Sequence, residues 1–443
     1  MTRTFSDALP PTDALPVQAQ RPAWRDTLAA LRVRNFRLFA GTNLVAMTAA
    51  WMQRIAQDWL VLELSGSVAA VGITVAMQFT PMLVFGLLGG VLVDRYSKRA
   101  LMMITQGAFA LLSILLAVLT LVGAVEVWHI FVIALMTGLV TVIDNPARQV
   151  FVNELVGPAH LRNAISINSS IFQLGGMIGP ALSGLLMLGV GAGWSFALNG
   201  AACLAVVVML TRIRTAELIP SPRAPRSSGQ LRQGLQYAMS KPTIYVPITL
   251  LASFSIFALT MPVLLASYAD DVFSAGSGGY GLFNAMVAVG SLVGALASTR
   301  RATVRLREVV LTAGIAGLLQ ATAGFMPTIV AFAASLVTVG IATLLFLTAA
   351  NSLVQMSSNM GIRGRVMSLY VMVLLGGQAL GGPLMGWIVE QFGTHTAMVV
   401  AGGVPALVAA TVGVLHARRH DLRLRVRLNH AIPTVSIVDG RSA

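Results

Sequence analysis

Residues 90–99 read GVLVDRYSKR. An apolar run over 68–93 stops at Asp94, and another starts at Ala100. Asp94, Arg95, Lys98 and Arg99 therefore sit in a short polar turn between two segments, each longer than the roughly 20 residues a helix needs to cross a bilayer. Neither run alternates in character, which excludes the short alternating strands of a membrane barrel. The stretch reads as the end of one membrane helix, a charged turn at the water boundary, and the start of the next.

The same unit repeats along the chain. Apolar spans fall at 36–62, 68–93, 100–123, 127–147, 163–189 and 194–211, then at 244–267, 279–299, 308–326, 328–350, 366–391 and 394–416. Only 10% of the 443 residues are charged, against about 25% in a soluble domain. The chain lacks the polar groups to face water, so lipid must cover most of it. The net charge of +14 follows topology and points to no nucleic-acid partner. If the chain starts inside and crosses twelve times, 29 of the 30 Lys and Arg fall in inner segments, counting Arg37 on the first turn of the first span. This positive-inside pattern predicts a multi-pass protein of the cell membrane with both termini cytoplasmic. Its basic segments also suit anionic headgroups. The thirtieth basic residue is Arg54. The first 35 residues lack the apolar core and cleavage site of a signal peptide, and the single Cys203 rules out an intrachain disulfide.

Residues 212–243 break the apolar pattern, and IPSPRAPRSSGQLRQG (219–234) reads as a cytoplasmic linker. The expected organisation is a tail over 1–35, a six-helix half over 36–211, the linker over 212–243, a second half over 244–416, and a basic tail over 417–443. The halves echo each other. GALASTRRAT (294–303) repeats Gly90 and Leu92 as Gly294 and Leu296, with Ser298 in place of Asp94. ALGGPLMG (379–386) parallels GMIGPALSG (176–184). The prediction is an all-α membrane protein of twelve transmembrane helices in two pseudo-symmetric halves, with a binding site near the midplane between them.

These residues carry a family resemblance. GVLVDRYSKR resembles the loop 2–3 motif of the major facilitator superfamily, G-x-L-a-D-R-x-G-R-R: Gly90, Leu92, Asp94, Arg95 and Arg99 fit, Lys98 is a like-charge replacement, and Ser97 departs from Gly. GGMIGPALSG (175–184) resembles the span-five motif G-x-x-x-G-P-x-x-G-G associated with antiporters: Gly175, Gly179, Pro180 and Gly184 fit, and Ser183 replaces a Gly. DNPARQVFVNELV (144–156) resembles the branch of drug:proton antiporters that holds enterobactin exporters and macrolide-efflux proteins. The likeness covers about residues 30–420. One departure concerns the span-four pattern R-x-x-q-G, implicated in proton coupling: with Gly138 fixing the frame, Ala134 stands at the Arg position.

The resemblance implies a gating latch on the inner side, built on Gly90, Asp94, Arg95, Arg99, Asp144 and Arg148. Asp94 would face the start of span eleven near Gly364–Ser368, where a helix N-terminus favours a carboxylate. Arg95 would reach Asp144, with Arg148 one turn on. The alternative is that Arg95, Lys98 and Arg99 are ordinary positive-inside charges. Gly175 and Gly179 would admit a neighbouring backbone, and Pro180, lacking an N–H, would kink span five. Generic small-residue packing is the competing account. The superfamily's cavity is lined by spans one, four, seven and ten. Their candidates here are Asn43, Gln53, Gln57, Thr137, Thr141, Ser253, Thr260, Thr338, Thr343 and Asn351, with Phe254, Phe257 and Phe346. Each alone is more often a helix-packing residue.

WMQRIAQDWL (51–60) sets two charges inside the first span. Arg54 and Asp58 lie at i and i+4, on one helix face, and can pair. An intramembrane charge costs roughly 2.5–3.5 kcal/mol at mid-helix and rarely faces lipid. The pair reads either as a proton or substrate site in the outer part of the cavity, or as a structural pair with Arg54 snorkelling to the interface. The sequence has no nucleotide-binding loop, metal cluster or catalytic constellation, so no enzyme activity, cofactor or metal is expected. The reading is a monomeric, proton-coupled exporter of a small hydrophobic or amphiphilic compound. A facilitator or importer on the same fold, and a non-transporting receptor or assembly factor, stand as its rivals.

Overall fold

A computed structural model describes residues 29–219, 230–298, 304–359, 362–419, 422–427 and 434–439. The first half comprises α1 (Arg34–Ser65), α2 (Val68–Arg95), α3 (Lys98–Leu121), α4 (Val127–Gly157), α5 (Asn163–Gly189) and α6 (Ala192–Thr211). A short α7 (Gln230–Ser240) follows. The second half comprises α8 (Pro242–Val272), α9 (Gly276–Ser298), α10 (Leu306–Ala323), α11 (Ile329–Ser357), α12 (Arg363–Phe392) and α13 (Thr394–Arg419). Among the described residues, eleven helices are long and apolar enough to cross a membrane. With α1, which is long enough but carries Gln53, Arg54, Gln57 and Asp58, the expected twelve-helix arrangement is complete.

The structure differs from the expected outline in four places. Helix α4 runs past 147 to Gly157, because its charges find partners: Arg148 lies 3.0 Å from Asp144 and Glu154 lies 3.6 Å from Lys98. Gly157 then takes φ 65°, a left-handed conformation that suits a residue without Cβ, and turns the chain into α5. Helix α8 contains two π-turns, Phe254–Ala258 and Tyr268–Val272. The stretch read as linker is partly ordered. Asn35 and Arg214 exchange two hydrogen bonds, of 3.1 and 3.2 Å, which tie its start to the first half. Helix α7 is tied to the second half through the Tyr237 hydroxyl, which accepts from Lys241 Nζ (2.7 Å) and Asn359 N (3.1 Å). Within the basic tail, β1 (Leu422–Arg427) pairs antiparallel with β2 (Thr434–Asp439), Leu422 opposite Asp439. LRLRVR alternates with period two and TVSIVD is rich in β-branched residues, as strands require.

The helices have two sets of ends. One set includes the ends of α2, α4, α6, α9 and α11 and the starts of α3, α5, α10 and α12, and is here termed the basic end. At the other end the two halves share one hydrophobic core. It runs from Ile55, Val61 and Val71 in the first half to Leu264, Phe283, Phe332 and Met385 in the second. At the basic end the cores are separate. Phe36, Phe39, Phe151 and Leu210 belong to the first half alone, and Leu250, Phe254, Phe346 and Val366 to the second alone. The halves are thus closed on each other at one end and parted at the other.

Two seams make the closed end. Along α2 and α12, a Cβ on Gly72 would lie 2.2 Å from Gly382 O, and one on Gly386 would lie 2.7 Å from Ala69 Cα. Along α5 and α9, a Cβ on Gly184 would lie 3.0 Å from Gly281 Cα. Glycine is required there because helices in lipid gain by close backbone approach rather than by burying apolar surface.

Candidate functional site between the two halves

Helix α1 presents Gln53, Arg54, Gln57 and Asp58 on two successive turns, and each goes a different way. Gln53 faces α3 and α6, where its Oε1 accepts from Ser113 Oγ (2.6 Å) and Asn199 Nδ2 (2.7 Å). It therefore ties the first half together and leaves the cleft. Arg54 and Asp58 do not form the expected ion pair. The Arg54 guanidinium lies over the rings of Phe79 (4.9 Å) and Trp51 (5.6 Å), where cation–π attraction holds it, and its buried Nε has no hydrogen-bond partner. Asp58 is 0% exposed. Its Oδ2 accepts from Tyr280 Oη of α9 at 3.3 Å, and its Oδ1 has no partner. Gln57, 2% exposed, likewise keeps an unpartnered Nε2. The Trp59 ring stacks on Tyr280, with centroids 5.9 Å apart. Asp58 thus lies where α1 of the first half meets α9 of the second.

The antiporter-motif residues position this helix. A Cβ on Gly175 would lie 3.0 Å from Met47 Cβ, and one on Gly179 would lie 2.6 Å from Trp51 Cβ, so α5 packs on α1 just before Arg54. Ser183, which departs from the motif's Gly, donates to Met52 O at 3.0 Å. Pro180 O sits 2.9 Å from where a Gly281 Cβ would be, on the α9 seam.

The latch residues are arranged differently from the expectation. Asp144 is turned into the first half. Its Oδ1 accepts from Thr105 Oγ1 (2.7 Å) and Gln106 Nε2 (3.0 Å), and its Oδ2 from Arg148 Nε (3.2 Å) and Nη2 (3.0 Å). Both its oxygens are satisfied within the first half, and its described ion pair is with Arg148, while Arg95 is exposed. Arg148 also donates to Asn43, and Asn43 Nδ2 donates to Asn168 Oδ1 at 3.1 Å. Asn43 is therefore a strut between α1, α4 and α5. Arg99 caps α6, its Nε donating to Leu210 O at 2.7 Å and its Nη2 to Thr211 O at 3.3 Å. A Cβ on Gly90 or on Gly364 would meet nothing within 4 Å. Asp94 belongs to α2, but its side chain lies outside the described residues. Asn351 of α11 accepts from Gln355 Nε2 one turn on. Phe254 and Phe346, 4.5 Å apart, are core residues.

Sequence reading missed two residues. Tyr280 gave no signal, because a Tyr in an apolar span is unremarkable until its partner is known. Glu390, at the end of the eleventh span, gave none either. It accepts from Ser67 Oγ (2.5 Å) and Ala69 N (3.1 Å) of the other half.

Comparison with known proteins accords with this geometry. The chain is 24% identical over 405 residues to the enterobactin exporter EntS of Escherichia coli O1:K1, covering 89% of this chain and 94% of the relative. It is 24% identical over 400 residues to that of Salmonella typhimurium strain LT2, with the same coverage. Its fold is similar to that of the nucleoside transporter NupG, with TM-score 0.68 at 14% identity over 86% of this chain and 99% of that one. It is also similar to a D-xylose-proton symporter, with TM-score 0.66 at 15% identity over 86% and 97%. A family model described as transmembrane secretion effector matches residues 25–435, and the chain belongs to that family, as a multi-pass membrane transporter of the major facilitator superfamily.

Proposed function

We propose that this transporter exports a small hydrophobic or amphiphilic compound in exchange for protons. In this reading it works as a monomer in the cell membrane, with the basic end and both termini cytoplasmic and Asp58 as the proton-carrying acid. The observation that supports it is the placement of Asp58: fully buried, without an ionic partner, one oxygen unengaged, and touching both halves. An ionised carboxylate held that way is costly, and a proton on Oδ1 or a hydrogen-bond donor of the substrate relieves the cost. Both claim the same oxygen, so they bind in alternation, which is what exchange requires. Arg54, one turn away on Phe79 and Trp51, is the charge that pairs with the carboxylate once the proton has left. EntS relatives are named for exporting enterobactin, which makes it the first compound to try, beside a panel of amphiphilic drugs.

The test uses everted membrane vesicles. Asp58→Asn is expected to abolish uptake driven by a proton gradient while retaining substrate counterflow. Arg54→Ala should weaken coupling without unfolding the protein. Full gradient-driven uptake by Asp58→Asn would make the pair a structural clasp. A reporter fused after residue 225 should report cytoplasmic, and an outside signal there overturns the orientation.

A further inference from the structure

Glu390 stands on the last turn of α12, exposed at the water boundary of the closed end. Its Oε1 accepts from Ser67 Oγ and from Ala69 N. Ser67 is the N-cap of α2, and its Oγ also accepts from Ala70 N at 3.2 Å. Two free N–H groups of the first turn of α2 are thus satisfied, one of them by a carboxylate from the opposite half. Below this contact come the glycine crossings at Gly386 and Gly72, so Glu390 closes the outermost point of the α2–α12 seam. The seam's far end leaves more room, since a Cβ on Gly90 or on Gly364 would meet nothing within 4 Å.

We propose that Glu390 is a positioning residue for transport, a clasp whose engagement with the N-terminus of α2 holds the non-basic end shut and whose release is a required step in opening it. The glycine crossings hold the seam by close backbone packing. A charge-assisted hydrogen bond at a helix N-terminus adds a short-range attraction that vanishes once the helices part. Because it lies at the water boundary, water satisfies both sides when it breaks, and no group is stranded. The proposal does not depend on which compound or ion is carried.

Distances between spin labels on the full chain in nanodiscs, with Cys203→Ala, test it. One label pair, Val122→Cys with Phe325→Cys, spans the closed end; the other, Tyr96→Cys with Met356→Cys, spans the basic end, and all four positions are exposed. Glu390→Gln is expected to raise the ratio of long to short distances at the closed end about three- to tenfold. The basic-end pair should move to shorter distances in step. Ser67→Ala should act in the same direction with smaller size, and Glu390→Asp, which keeps the charge, should fall between wild type and Glu390→Gln. If Glu390→Gln does not fold, Ser67→Ala and Glu390→Asp carry the same reading. Unchanged distributions at both ends overturn the proposal. So does loosening of both ends together, which marks a merely structural contact.

Discussion

At the closed end the two halves complete one core, while at the basic end each half is finished by itself. The difference lies in where charges are settled. The basic end is rich in ionic groups, yet its described ion pairs, Asp144 with Arg148, Lys98 with Glu154 and Arg214 with Glu217, stay within the first half. Arg99 likewise caps a helix of its own half. None of these described pairs is broken when the halves part there. At the closed end, beside contacts kept within one half such as Ser267 with Asp271, two described polar contacts run between halves: Asp58 with Tyr280, and Glu390 with Ser67 and Ala69. An end with polar contacts that cross between the halves is one that must be unlocked to open.

The comparison can be broken most forcefully at Arg148. If the first half is self-contained at the basic end, Arg148→Ala leaves Asp144 buried and uncompensated and destabilises the protein by about 3–5 kcal/mol. Thermal unfolding in detergent should show this, with no change in the balance between the two access states of the folded fraction. Next in size is Gly382→Leu, which forces a side chain against the Gly72 backbone and should cost about 1–3 kcal/mol. It should also raise labelling of a cysteine at Val75. Gly90→Leu is its counterpart: unfolding should move by about 0.5 kcal/mol or less, while closure of the basic end is blocked, so crosslinks across that end fail. Asp94→Asn is smaller. The attraction expected between Asp94 and the start of α12 is worth about 0.3–2 kcal/mol, and its loss should favour the state open at the basic end severalfold. Unchanged accessibility of cysteines along the inner cleft would remove Asp94 from the latch. Arg99→Ala should act least on access, leaving it unchanged, while the loss of a cap from α6 lowers stability by about 0.3–1 kcal/mol.

The membrane spans were legible because the bilayer imposes a one-dimensional rule, that every span be apolar and every backbone group be satisfied within it. Side-chain partners were not. Gln53 and Gln57 differ by one turn and a rotation about α1, yet one faces α3 and α6 and the other stays unpartnered. The apolar residues around them leave that rotation unmarked. Asp144 had two candidate partners, and the local one, Arg148 at i+4, is the one it meets. Its second oxygen goes to Thr105 and Gln106, on a helix whose facing the sequence does not fix. Arg54 and Asp58 share a helix face, but aromatic rings on α1 and α2 compete for the guanidinium. Glu390 and Tyr280 act only through the other half, several hundred residues away for Glu390, so nothing local announces them.

Helix α1 is the long helix that falls short of the apolarity of the other eleven. It is also made before the other described helices that cross the membrane. Arg and Asp each oppose insertion by about 2.5–3.5 kcal/mol at a helix centre, and the residues that shelter them, Phe79, Gly175, Gly179 and Tyr280, are made later. Biogenesis therefore has a waiting step: α1 must linger at the interface or the insertion machinery until α2 and α5 arrive to take it in. Variants that make α1 more apolar should insert sooner and transport worse, which sets the speed of membrane integration against the chemistry the helix carries.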